Sequence, residues 1–297
     1  ATSGDTGAAA IDAIKGKKNM NIFVLHPHNK ISQVQRKLMS TVKEKNVYNI
    51  AIEGNFDDCQ DLVKLMFADK EFSNSINMSG VNSINWARII AQTVYYFYVY
   101  FLVKEKQPVN FSVPTGNFGD VYAGYLAKKM GLPINKLIVA TNQNDILHSS
   151  ISKGLMKKNV VTQTYSPSMD IQVSSNFERQ LFESSGRDSE SINNIFKEFS
   201  KNNSYTFDKN IQNDLQSCYS TTAVSNDETI NAIKEIKEKY HYLADPHTAT
   251  GLHVLLEKEG NLPWVSLACA HPAKFGDVIE KATGEPPVLP KDLSKFF

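Results

Sequence analysis

Ser112-Val113-Pro114-Thr115-Gly116-Asn117-Phe118-Gly119-Asp120 reads as the end of a strand, a tight turn carrying two glycines, and the entry to a helix over about Val121 to Lys129. Gly116 and Gly119 let the backbone turn sharply and come close to a ligand. The unpaired N–H groups and the dipole of the following helix favour an anion at that turn. Successive backbone N–H donors in such a turn can form a nest around a phosphate. The stretch therefore reads as a phosphate cradle at the carboxyl end of a strand.

The segments around it repeat the same grammar. Asn21 to His26 and Val47 to about Glu53 read as strands, and Lys136 to Thr141 as another. Helical patterns follow each of them, over about Ser32 to Lys43, Phe56 to Ala68 and after the polar Asn142-Gln143-Asn144-Asp145. Alternating strands and helices predict an α/β fold built on parallel sheets. An Ala-rich helix from Ala8 to Lys15 opens the chain, and a long apolar helix ends near Lys104. Helices are also expected near 177–183, 189–201 and 227–240, and a last strand over Trp264 to Cys269. Residues 202–226 are polar and carry no clear pattern. Gly54-Asn55 and Gly80-Val81-Asn82 are turn signals, and a domain boundary is expected near residues 72–80.

Composition narrows the class of function. The chain has 297 residues, 41% hydrophobic and 21% charged, with 32 basic and 31 acidic side chains and a net charge of +1. Such a balance gives no reason to expect nucleic acid or a membrane surface as a partner. Cys59, Cys218 and Cys269 are widely spaced, odd in number and show no metal-ligand spacing, which suits a reducing, cytoplasmic setting. The most apolar window, Val94 to Val103, is far shorter than the roughly 20 residues of a membrane span. There is no secretory signal pattern. The first residue is not Met and stands at the edge of a dense motif, so we expect a piece whose upstream part is absent.

Four strand-to-helix turns gather the chemistry: Ser3–Thr6, Asn82–Arg88, Thr115–Asp120 and Ala268–Lys274. In an open α/β sheet, ligands sit at such turns, outside the carboxyl ends of the strands. Ser3-Gly4-Asp5-Thr6-Gly7 is richer than one helix cap needs, although a helix start alone also accounts for it. Asn82, Ser83, Asn85 and Arg88 could offer several donors to an anion, with Asn85 and Arg88 at an i, i+3 spacing. They could equally be a helix cap followed by a solvated arginine. No G-x-G-x-x-G, P-loop or G-x-S-x-G pattern is present. His247 and His271, each at a helix start, read as packing or capping groups.

Taken together, A-T-S-G-D-T-G (1–7), N-S-I-N-W-A-R (82–88), V-P-T-G-N-F-G-D (113–120), A-T-N-Q-N-D (140–145), S-M-D-I-Q-V-S-S-N-F-E-R (168–179), D-P-H-T-A-T-G (245–251) and A-H-P-A-K-F (270–275) resemble threonine synthase. The likeness runs from end to end, in order. That family consists of fold type II enzymes, related to the tryptophan synthase β subunit, with pyridoxal 5'-phosphate as cofactor. They convert O-phospho-L-homoserine and water into L-threonine and phosphate. The resemblance implies two parallel-sheet αβα domains with the cofactor site between them and an N-terminal part missing. Residues 1–78 would be the remainder of the smaller domain, and 79–297 the larger, phosphate-binding one. It implies cofactor binding by Gly116, Asn117, Phe118, Gly119, Asp5 and Cys269, the last facing the pyridine nitrogen. It places Ser3, Thr6, Asn82, Ser83, Asn85 and Arg88 at the substrate, with 82–88 on its phosphate. A small-molecule substrate and a monomer or small homo-oligomer are expected.

Two departures from the family pattern stand out. The family's Schiff-base lysine lies in an F-K-D context upstream of S-G-D-T-G, so this piece alone is expected to be inactive, with Lys274 a substitute only by default. Cys269 stands where the family usually has Thr, and a thiol is the weaker hydrogen-bond partner. Two other readings stay open: a related phospho-lyase acting on O-phosphothreonine or phosphoserine, and an inactive ligand-binding pseudoenzyme.

Overall fold

A computed structural model describes residues 1–2, 4–103, 107–256, 258 and 260–291, apart from the side chains of Asp5 and Asp57. By contacts the chain divides into two compact units. The first holds Ala1–Asn85, Ala273–Gly276 and Pro287–Phe297, and the second Trp86–Pro272 and Asp277–Pro286.

In the first unit the elements run α1 (Asp5–Ile14), β1 (Ile22–Pro27), α2 (Gln33–Ser40), β2 (Val47–Ile52), α3 (Phe56–Ala68) and α4 (Lys70–Ser75). β1 and β2 pair in parallel, from Ile22 opposite Val47 to Pro27 opposite Ile52. Ile22 and Val24 of β1 pack with Ala10, Ile11 and Met39 of the two flanking helices into a small core. α2 starts at a capping box in which Ser32 and Gln35 satisfy each other's backbone N–H groups, the arrangement that fixes a helix N-terminus. On α1 the capping oxygen belongs to Thr2, whose Oγ1 accepts from the N–H of Gly4 at 3.0 Å and of Gly7 at 2.8 Å.

The second unit carries the larger sheet. α5 (Trp86–Leu102) leads to β3 (Val109–Pro114), α6 (Gly119–Lys129), β4 (Ile134–Thr141) and α7 (Ile146–Lys153). A short antiparallel pair, β5 (Leu155–Lys157) and β6 (Ser204–Thr206), brackets α8 (Phe177–Ser184) and α9 (Ser189–Asn202). Then come α10 (Lys209–Cys218), β7 (Tyr219–Ala223), α11 (Asn226–Tyr240), α12 (Pro246–Leu256), β8 (Trp264–Ser266) and α13 (Gly276–Thr283). The strands order as β7–β4–β3–β8, all parallel. The α/β class with parallel sheets is thus as the sequence predicts.

Every residue of β3 is buried, although its sequence Val-Asn-Phe-Ser-Val-Pro alternates apolar and polar residues. Its two neighbours and the helices on its faces leave it no solvent side. Phe111, Val113, Leu137, Val139 and Tyr96 lie at the centre of the unit's main core. α12 comes down on this strand closely. A Cβ on Gly251 would stand 3.0 Å from Pro114, and the Ser112 hydroxyl donates to the Gly251 carbonyl at 2.9 Å. The carboxyl end of β3, where the glycine turn begins, is therefore held from within the core. No helix among the described residues is long and apolar enough to cross a membrane.

Candidate functional site

The turn between β3 and α6 is built with its carbonyls turned one way. The Ser174 hydroxyl donates to the Gly116 carbonyl at 2.8 Å. The backbone N–H and the side-chain Nδ2–H of Asn176 both donate to the Asn117 carbonyl at 3.1 Å. In a trans peptide the next residue's N–H points opposite to the carbonyl. Engaging these two carbonyls therefore aims the N–H groups of Asn117 and Phe118 away from 174–176. Among the described residues none accepts from the N–H groups of Gly116, Asn117, Phe118 or Gly119. Gly119 is the first residue of α6, so the helix dipole adds to the same pole.

Phe118 fixes this geometry. Its backbone lies in the left-handed region, with φ 64°, a strained conformation for a bulky residue. Its ring is fully buried and meets Phe177 and Tyr219 edge to face, with centroids 5.1 and 5.3 Å away. Burial of the ring offsets the backbone strain and anchors the turn to the core. We expect Phe118→Ala to lower stability by about 3 kcal/mol, the usual cost of emptying an aromatic site. Chemical denaturation would read it, and a loss under 1 kcal/mol would reject the anchor.

Gly116 has no room for a side chain. A Cβ there would stand 3.1 Å from the Ser168 carbonyl oxygen and from Met169 Cα. Asn117 presents Oδ1, a buried oxygen with no hydrogen-bond partner among the described residues. Buried polar atoms are normally paired, so this one points to a group the protein alone does not supply. A nest of N–H donors, a helix N-terminus and a close-packed glycine together suit the phosphate of a phosphorylated cofactor, while the orphan amide oxygen, an acceptor, suits a donor group elsewhere on the ligand.

Asp120, in the first turn of α6, receives the Tyr96 hydroxyl at its carbonyl at 2.8 Å and more weakly at Oδ1, at 3.4 Å. Burial raises its carboxyl to about 7, against the lowering effect of the Tyr96 bond. A carboxyl raised in the folded state favours folding while protonated. Its contribution is full below the ordinary carboxylate range near 4 and is lost as the pH rises toward 7. Asp120→Asn should remove this fall in stability between about pH 4 and pH 7. Parallel slopes for variant and wild type in thermal melts would reject it.

The far wall of the unit is a second buried polar assembly. Asp245 Oδ1 accepts from the His247 N–H at 2.9 Å and faces His247 Nδ1 at 3.1 Å. Its Oδ2 takes the Thr248 hydroxyl and, at 3.2 Å, the Ala270 N–H. Thr248 Oγ1 in turn accepts the Cys269 N–H at 2.8 Å. Burial alone would raise the Asp245 carboxyl, but the bonds from His247 and Thr248 outweigh it and hold it below the usual value. Cys269 itself is exposed, its thiol 3.7 Å from the Leu267 carbonyl. Past β8 the Leu267 N–H still reaches the Ser112 carbonyl of β3 at 3.3 Å, and the N–H groups of Cys269 and Ala270 then turn to the side chains of Thr248 and Asp245.

Arg88 lies in the first turn of α5, half-buried, with Nη1 buried and unpartnered. Burial lowers its basicity, opposed weakly by Tyr95. α5 starts at Trp86, so Asn85 precedes the helix, and only Arg88 of that i, i+3 pair is helical. Trp86 carries the Arg179 guanidinium 5.3 Å over its ring, and Arg179 Nε donates to Asn176 Oδ1 at 3.2 Å. The entry of α5 is thereby linked to the cradle through Asn176. In the first unit the Ser83 hydroxyl donates to Asn82 Oδ1 at 3.0 Å, and Asn85 Nδ2 to the Gly80 carbonyl at 3.2 Å. Thr6 is half-buried on α1, Asp5 opens that helix, and Ser3 lies outside the described residues.

Sequence reasoning missed the Asp245–His247–Thr248 assembly and the Ser168–Met169 wall. Asp245 was legible only as a helix cap, and the partners of both segments are remote in sequence.

Comparison with known proteins fits this geometry. The family model "Threonine synthase, C-terminal" matches residues 248–297. Threonine synthase of Pseudomonas aeruginosa is 47% identical over 301 residues, covering 100% of this chain and 64% of that protein. The Saccharomyces cerevisiae enzyme is 44% identical, covering 100% of this chain and 63% of that protein. The crystal structure of pyridoxal-phosphate-bound threonine synthase from Brucella melitensis superposes with a TM-score of 0.91 at 48% identity, over 99% of this chain and 64% of that one. The chain thus spans just under two thirds of the relatives it matches. In sequence and fold, over essentially its whole length, the chain is similar to threonine synthases.

Proposed function

We propose that this chain carries the cofactor-phosphate and substrate-phosphate sites of a pyridoxal-phosphate-dependent threonine synthase, a cytoplasmic lyase converting O-phospho-L-homoserine and water into L-threonine and phosphate. The observation that carries the reading is the turn at 116–119, whose donors, orphan oxygen and tight glycine suit a phosphorylated cofactor, in a chain 47% identical to a threonine synthase. When bound, the cofactor supplies the electron sink that makes protons beside the substrate's amino group removable.

The protein's own part is binding and orientation. Gly116, Asn117, Phe118 and Gly119 hold the cofactor phosphate through backbone N–H groups. Cys269 faces the ring nitrogen from the wall that Thr248 and Asp245 fix. The stretch Asn82–Arg88 grips the substrate phosphate, which departs as an anion. A fixed cation and amide donors there stabilise charge as it develops on the leaving group. The family pattern assigns Ser3, Asp5 and Thr6 to the ring and the substrate carboxylate.

The test is threonine formation from O-phospho-L-homoserine by the protein made from its full coding sequence. Threonine as the main product supports the reading. Release of 2-oxobutyrate from O-phosphothreonine in its place would establish the phospho-lyase instead. Cofactor binding without turnover of either substrate would leave the ligand-binding pseudoenzyme.

A further inference from the structure

His247 joins the two walls of the cofactor site. Its side chain is buried at 4% exposure, beside Asp245 at 1% and Thr248 at 2%. Nε2 accepts the Ser168 N–H at 3.1 Å, so the ring proton of the neutral imidazole resides on Nδ1, where it donates to Asp245 Oδ1 at 3.1 Å. Each ring nitrogen thus serves a different wall. On the Nδ1 side, Asp245 and Thr248 hold the N–H groups of Ala270 and Cys269. On the Nε2 side, Ser168 and Met169 are the backbone against which Gly116 closes.

The Ser168 side is braced independently. Asp170, two residues on, sits in a buried polar knot. Its Oδ1 accepts from Asn142 Nδ2 at 2.8 Å, Asn144 Nδ2 at 2.9 Å and the Thr164 hydroxyl at 2.6 Å, and its Oδ2 accepts from the Thr164 N–H at 2.9 Å. The Thr250 hydroxyl, on the same helix as His247, reaches the Met169 sulfur at 3.9 Å. With one wall fixed by the knot and the other by Asp245, the imidazole is the strut that sets the distance between them.

We propose that His247 is a positioning residue that couples the phosphate cradle at Gly116 to the ring-facing segment at Cys269, so that the two ends of bound pyridoxal phosphate are held as one unit. The proposal rests on the assignment of 116–119 and 269 to the cofactor. A histidine that only packed would affect stability, and one that couples the walls must affect both ends of the ligand.

The protein made from the full coding sequence is loaded with pyridoxal phosphate and read in two ways. The ³¹P NMR shift reports the phosphate end, and the visible absorption band reports the ring end. His247→Phe should weaken cofactor affinity about tenfold, as expected for two lost buried hydrogen bonds, and should move both signals. Thr248→Val, which removes the acceptor for the Cys269 N–H and the hydroxyl that donates to Asp245 Oδ2 but leaves both ring nitrogens of His247 their partners, should move the absorption band and leave the phosphorus signal in place, with Thr248→Ser restoring the band. His247→Gln keeps an acceptor for Ser168 and should return the phosphorus signal toward wild type while the band stays shifted. If His247→Phe fails to fold, the Gln and Thr248 variants decide alone. Wild-type protein that takes up no pyridoxal phosphate would overturn the cofactor assignment and the coupling with it. Wild-type binding with both signals unmoved in the His247 variants, or moved together in Thr248→Val, overturns the coupling alone.

Discussion

Arg88→Ala should cut kcat/KM for O-phospho-L-homoserine about a thousandfold, a loss near 4 kcal/mol, and leave pyridoxal phosphate affinity within about threefold of wild type. Arginine is suited to this task because its planar fork grips two phosphate oxygens at once. Here the fork is half-buried and one of its nitrogens, Nη1, is both buried and unpartnered. Burial works against the charge, as the lowered basicity of Arg88 records. An anion arriving beside it gains from the same low dielectric that makes the unpaired state costly. On the proposed reading, removing the guanidinium takes away that gain and leaves the departing phosphate without its counter-charge. The cradle does not depend on the Arg88 side chain, since its donors come from the 116–119 backbone and its link to α5 runs through Trp86, Arg179 and Asn176. That separation is why the two effects should part. Arg88→Lys should recover only part of the loss, because a point charge cannot replace the fork. Steady-state kinetics with cofactor titration decide it: equal loss of turnover and cofactor affinity would reject the role, and unchanged kinetics would mean a solvated arginine.

Much of the architecture was written locally. β4 announces itself through the apolar run Leu137–Ala140, and the turn after β3 through its two glycines, although its left-handed residue is Phe118 and not a glycine. What escaped was set by tertiary context. Residues 202–226, too polar to assign, hold β6, α10 and β7. α10 buries only Ile211 and Leu215, so its stripe is thin. β7 is the Thr-rich edge Tyr219-Ser220-Thr221-Thr222-Ala223, four of whose residues are only partly buried. Edge strands need few apolar residues, and their pairing partner lies far along the chain. The last strand is expected to run to Cys269 but ends at Ser266: the Leu267 N–H still meets the Ser112 carbonyl, and Thr248 and Asp245, 21 and 25 residues away, take the N–H groups of Cys269 and Ala270. The strand-to-helix turn at 115–119 is legible as a motif. The strut behind it was not, since His247 meets Ser168 across 79 residues and nothing in either local sequence names the other.

Gly116→Val should weaken pyridoxal phosphate binding about a thousandfold, the loss of two charge-assisted hydrogen bonds at about 2 kcal/mol each. The argument is steric first. The new Cβ would meet two backbone atoms at 3.1 Å, closer than most real contacts, before the two methyl groups are counted. Flexible side chains could step aside, but Met169 Cα and the Ser168 carbonyl belong to a segment pinned by His247 and by the Asp170 knot. The turn is the softer partner, so it must open. Opening rotates the peptide units whose carbonyls Ser174 and Asn176 hold, and with them the N–H groups of Asn117 and Phe118 that the proposed reading gives to the phosphate. Stability of the cofactor-free protein should fall by only about 1–3 kcal/mol, the usual cost of overpacking. The discriminating measurement is the shift in melting temperature on adding pyridoxal phosphate, because a ligand stabilises only the state that binds it. Wild type should show a clear upward shift and Gly116→Val almost none. A full shift in the variant would mean that the 116–119 turn does not hold the phosphate, and the anion site would then have to be sought elsewhere in the fold.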